Sequence, residues 1–79
     1  MIMDLQDFIE KFAEQFDETE ASKFRANTEF KKLIDWSSMV ALSIIAMVDD
    51  EYGVTIKGDD IRKSETIETL FDIVKEYKS

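Results

Sequence analysis

The chain has 79 residues, 18 acidic and 10 basic, with no cysteine and no histidine, and a formal charge of -8. A chain this short is read as one domain spanning residues 1–79, near the lower limit for folding without a staple. Without cysteine there is no disulfide framework, thiolate zinc site or thiol nucleophile, and without histidine the commonest general base and metal ligand are gone. Ser-His-Asp and Cys-His catalysis are excluded, so an enzyme acting through its own side chains is not expected. The acidic excess argues against nucleic acid, whose phosphates need a basic partner, and against anionic membrane surfaces. It favours docking on basic protein patches, where opposite fields speed encounter. Met1-Ile2-Met3-Asp4 lacks the basic and apolar regions of a secretory signal. The longest apolar stretch, Met39 to Val48, is interrupted by Ser43 and is too short to span a bilayer. A cytoplasmic monomer is the expectation.

With no proline and only two glycines, helices joined by polar loops are expected. Leu5, Phe8, Ile9, Phe12 and Phe16 follow the spacing of an amphipathic helix from about Asp4 to Phe16, with Asp4 as its N-cap. Asp17 to Trp36 lacks clean periodicity. Its turn formers (Thr19, Ser22, Asn27, Thr28) alternate with Phe24, Phe30, Leu33, Ile34 and Trp36, which predicts a long ordered loop pinned across the bundle by its apolar residues.

A second helix is predicted from the serine pair, capped by Ser37, to about Tyr52, where Gly53 can take a left-handed conformation. It is apolar nearly all round, so it is either buried on several sides or offers apolar surface to a partner. Asp49, Asp50 and Glu51 crowd its C-terminal turn, where the helix dipole disfavours negative charge. A sequence optimised only for stability would carry lysine there. An extended link, Val54-Thr55-Ile56, leads to a loop and one helical turn around residues 57–62. A last helix starts near Ser64 or Thr66, with Ile67, Leu70, Phe71, Val74 and Tyr77 as its buried stripe. The fold class is therefore all-α: three main helices and a short one, with a long loop between the first two. A calcium-loop reading of residues 49–60 fails, because Gly53 and Val54 stand where an oxygen ligand and the turn glycine belong. No metal site is expected.

The stretch Leu33-Ile34-Asp35-Trp36-Ser37-Ser38-Met39, followed by Asp49-Asp50-Glu51-Tyr52, Ile56 and Thr66-Ile67, resembles the acyl carrier proteins and related peptidyl carrier domains. The resemblance covers the whole chain in helix order and loop lengths, and it rests on the ordered combination of short motifs. It implies that Ser38 carries a covalent 4'-phosphopantetheine, transferred from coenzyme A, on which acyl groups ride as thioesters in fatty-acid, polyketide-like or related biosynthesis. The implied partners are a phosphopantetheinyl transferase and acyl-loading and acyl-processing enzymes with basic docking patches. By the same register Met39, Leu42, Ser43, Ala46, Asp49 and Asp50 face partners, while Val40, Ile44, Val48 and Tyr52 look inward toward an acyl cleft or core. One position departs from the pattern: the family's usual aspartate before the modified serine is Ser37 here. That leaves the cognate transferase open, and Asp35 stands nearby as an alternative charge. The competing reading is a small acidic helical adaptor that binds a protein partner and carries no cofactor.

Overall fold

A computed structural model describes residues 3–78. Helix α1 spans Leu5–Ala13, α2 Ser38–Tyr52, α3 Gly58–Lys63 and α4 Ile67–Lys78, and no strand occurs among the described residues. Helix α1 packs on α2 and α4, while the short α3 joins α2 to α4 and closes the ring. None of these helices is long and apolar enough to cross a membrane.

Asp4 caps α1 by accepting from the Asp7 amide at 3.3 Å. The regular helix stops at Ala13, short of Phe16. The amides of Gln15 and Phe16 bond three residues back, to Phe12 and Ala13, instead of four. That tighter turn keeps Phe16 on the core side, where it is buried.

Residues 14–37 hold two 3-10 turns, Ala21–Lys23 and Phe30–Lys32, and lie across the bundle as predicted. Aromatic packing holds them there. The Phe12 ring meets Phe24 at 6.3 Å and Phe30 at 5.0 Å, Phe16 meets Phe24 at 5.0 Å, and Trp36 meets Phe30 at 5.2 Å. Buried aromatics of this size dominate core energetics, and tilted or edge contacts suit their quadrupoles. A loop trailing in solvent would inflate the chain, yet its radius of gyration is 11.3 Å, close to the ~11–12 Å of a compact chain this long. The expectation fails at Ile34, which is 93% exposed. The 3-10 turn sends Phe30 inward and leaves Leu33 only partly buried, so the next residue points away from the core.

Helix α2 has the predicted ends. The Ser37 hydroxyl accepts from the Val40 amide, and Gly53, at φ 67°, donates its amide to the Asp49 carbonyl. Beyond it the link alternates, with Val54 and Ile56 buried and Thr55 exposed. The acidic C-terminal turn of α2 does meet cations from outside. Lys78 donates to the Tyr52 carbonyl at 2.8 Å, and Lys11 lies 3.7 Å from Glu51.

Ser64 and Thr66 divide the roles left open for them. Ser64 is fully buried and donates to the Asp60 carbonyl, which finishes α3. Thr66 accepts from the Thr69 amide and opens α4. The buried stripe of α4 is Ile67, Leu70, Phe71 and Val74. Tyr77, predicted to complete it, is 48% exposed. The last turn has passed the edge of the core, and the Tyr77 hydroxyl instead donates to the Asp60 carboxylate at 2.7 Å.

Asp60 is the one buried acid among the described residues. Burial works to raise its pKa, but the Lys57 amide, the Tyr77 hydroxyl and the charges of Lys63 and Lys57 outweigh it and hold the carboxyl below its ordinary value. Hydrogen bonds from Lys11 and Tyr52 likewise hold Asp7 low. A carboxylate whose folded pKa is depressed contributes stability above the unfolded pKa of about 3.9 and loses it as pH falls through the folded value.

Two outcomes are expected. Phe30→Ala, which empties a fully buried ring site between loop and α1, should cost about 3–5 kcal/mol. That is comparable to the whole net stability of a core this size, about 3–5 kcal/mol, so circular dichroism should show a largely unfolded chain. Asp60→Asn should destabilise most at neutral pH, with a deficit that shrinks as pH drops below about 4. Urea titrations of both proteins across that range measure it, and a pH-independent deficit would refute the linkage.

Candidate functional site

Ser38 is the first residue of α2, placed by a cap that does not use its own hydroxyl. Ser37 sits in extended conformation (φ -159°, ψ 171°) and bonds the Val40 amide at 3.2 Å through its side chain. Its carbonyl accepts from Ala41 at 3.0 Å. The adjacent Ser38 is exposed, and no hydrogen bond among the described residues engages its hydroxyl. Of two neighbouring serines, one is structurally committed and the other is free for chemistry.

Two clefts flank this helix start. On one side a cleft of ≈ 400 Å³ runs between α2 and α3, with Ser38 at its edge. Ala41, Leu42, Ile45, Ile61 and Trp36 give it apolar lining, and Lys31 and Arg62 line it too. On the other side a cleft of ≈ 480 Å³ is lined by Ile34, Trp36, Met39 and Val40, with Asp17, Glu18 and Asp35 around them. Trp36 and Ser37 belong to both. Ile34, Met39 (78% exposed) and Leu42 (65% exposed) thus offer apolar surface around the serine pair.

The predicted partner-facing residues divide. Ser43, Ala46, Asp49 and Asp50 are exposed together on an acidic trough of ≈ 540 Å³ between α1 and α2, bordered by Glu14 and Glu51. Met39 and Leu42 lie instead over the two clefts at the helix start. Asp49 and Asp50 form no salt bridge among the described residues.

Of the four predicted inward residues, three belong to the core and Val40 lines open space. Ile44 and Val48 are fully buried and Tyr52 nearly so. Tyr52 packs its ring on Phe8 and donates its hydroxyl to Asp7 at 2.9 Å. Burial and that carboxylate push the phenol well above its ordinary pKa, so it stays protonated. These three side chains are filled core, and Val40 lines the second cleft. The room beside Ser38 belongs to Ala41, Leu42 and Ile45, one helical face further round.

Asp35 lines the cleft beside Trp36 and Ser37 and is held there by the loop that precedes it. Its carboxylate accepts from the Thr19 hydroxyl at 2.7 Å and from the amides of Glu18 and Thr19 at 3.0 and 3.2 Å. The Thr19 hydroxyl chiefly, with those amides, holds its pKa below the ordinary value against partial burial. It is a staple that folds the loop back on itself.

Sequence reasoning missed the two cations that line the cleft at Ser38. Lys31 donates to the Arg62 carbonyl at 2.7 Å, tying the loop to the end of α3 over the cleft. Basic residues in an acidic chain were the available signal, but nothing in an aperiodic loop shows which of them comes next to Ser38. No family model, no curated protein and no solved structure matches this chain.

The division of labour between the two serines is measurable. Ser37→Ala removes a cap and should cost about 0.5–2 kcal/mol, whereas Ser38→Ala should stay within about 0.5 kcal/mol of wild type. Urea denaturation of the two variants decides it. Equal losses would contradict the assigned roles.

Proposed function

We propose that this chain is an acyl carrier protein that bears 4'-phosphopantetheine on Ser38. The observation that carries the reading is the pairing of a free, exposed hydroxyl at the first position of α2 with a cleft lined by apolar residues and by two cations. These residues fit the group. The hydroxyl is accessible to a modifying enzyme, the cations suit a phosphate, and the apolar residues suit an uncharged arm. A helix N-terminus also favours an anion through its free amides and dipole. When attached, the group supplies the thiol that this cysteine-free chain lacks, and acyl groups are carried on it as thioesters.

In the loading reaction the Ser38 oxygen bonds to the phosphorus next to pantetheine in coenzyme A. The pyrophosphate P–O bond breaks, adenosine 3',5'-bisphosphate leaves, and the serine proton passes to a base of the transferase. The chain contributes position and access in that step, and the transferase contributes the catalysis. Partner enzymes would meet Met39, Leu42 and Ile34 around the serine and the acidic trough of Ser43, Ala46, Asp49 and Asp50 along α2. Opposite charge on those enzymes would steer the encounter.

The exposed apolar triad also favours a second reading, an adaptor that docks a protein partner without any cofactor. The two part at Ser38. Intact mass after incubation with coenzyme A, magnesium and a broad-specificity phosphopantetheinyl transferase should rise by one phosphopantetheine, and Ser38→Ala should abolish the gain. A folded wild-type protein that stays unmodified with several transferases would favour the adaptor.

A further inference from the structure

We propose that Lys31 and Arg62, which line the cleft beside Ser38, hold the phosphate of the arm against the start of α2. The inference rests on the carrier reading of Ser38 and adds to it the residues that orient the group.

Electrostatics single out this cleft. The chain carries -8 overall, and four other clefts on the described surface each have carboxylates in their lining: Glu14, Asp49, Asp50 and Glu51 in the trough, Asp60 and Glu76 beside α4, Asp17, Glu18 and Asp35 beyond Trp36, and Glu18 and Glu20 along the loop. Among these five, the cleft at Ser38 is the one without a carboxylate in its lining, and two cations line it, although Asp59 pairs with Arg62 beside it.

Both cations retain donors for an anion. Lys31 uses one N–H on the Arg62 carbonyl, and an ammonium has three. Arg62 pairs with Asp59 across one helical turn, with both side chains mostly exposed. Such a solvated pair is weak, and a guanidinium has five N–H donors, more than one carboxylate occupies. The Lys31 bond to the Arg62 carbonyl brings the two chain segments together, and both residues line the cleft that Ser38 also lines. Charge-assisted bonds of this kind are among the stronger ones a protein makes to phosphate.

The test uses holo protein, with modification first verified by intact mass for wild type, Lys31→Met, Arg62→Gln, the double variant and the charge-retaining pair Lys31→Arg and Arg62→Lys. Circular dichroism of the apo forms checks that each is folded. The readouts are the phosphodiester 31P resonance, its linewidth, and the melting shift between apo and holo forms. Expected is a distinct, broadened wild-type resonance and a stabilisation on modification. Both should be lost in Arg62→Gln and the double variant and kept in the charge-retaining pair. Identical 31P shift, linewidth and melting gain in wild type and double variant would overturn the clamp while leaving the carrier reading intact. A folded wild type that never gains the group would overturn both.

Discussion

The packing of Phe12 against both Phe24 and Phe30 is the contact on which the rest of this structure depends. Residues 14–37 have no regular element longer than a single 3-10 turn, so their ordering entropy must be offset mainly by burial and hydrogen bonding. The rings supply the burial. Phe16 and Phe24 extend the stack from α1, and Phe30 and Trp36 carry it to the entry of α2. The position of Ser37 and Ser38 is therefore set by aromatic packing several residues upstream, and the cap hydrogen bond at Ser37 finishes what the rings begin.

This arrangement separates stability from function along α2. Ile44, Met47, Val48 and Tyr52 satisfy the core, which leaves Met39, Leu42, Ser43 and Ala46 free of packing duty. The acidic turn at the end of the helix is tolerated because Lys78 and Lys11 approach from α4 and α1. Asp49 and Asp50 remain solvated charges. At the opposite end, Lys31 and Arg62 line the cleft that Ser38 also lines. One helix thus carries an acidic flank toward its end and lies beside two basic residues at its start.

Much of this was legible from local chemistry. The ends of α2 follow from a serine pair and a glycine, and α4 from the spacing of Ile67, Leu70, Phe71 and Val74. What lay beyond reach is what depends on tertiary approach. Leu33 and Ile34 are adjacent and equally apolar, and only the 3-10 turn at Phe30–Lys32 decides that Ile34 faces solvent. Tyr77 continues the α4 stripe in sequence, but the core ends before it, and a buried acid on α3 captures its hydroxyl. That Thr19 folds onto Asp35 from 16 residues away is likewise not written in the local sequence. The cleft residues Ala41, Ile45 and Ile61 line a space that exists only because α3 stands off from α2, and periodicity along one helix carries no information about that gap.

The carbonyls of Ala26 and Thr28 accept from the amides of Glu68 and Ile67 at 2.9 and 3.3 Å. The loop thereby supplies acceptors to the first turn of α4, a service usually performed by residues next in the chain. Its other end anchors the first turn of α2 through Trp36. The two helix starts therefore lean on the same loop. An excursion that lifts it would expose the α4 amides to exchange and loosen the support of the serine-bearing turn together.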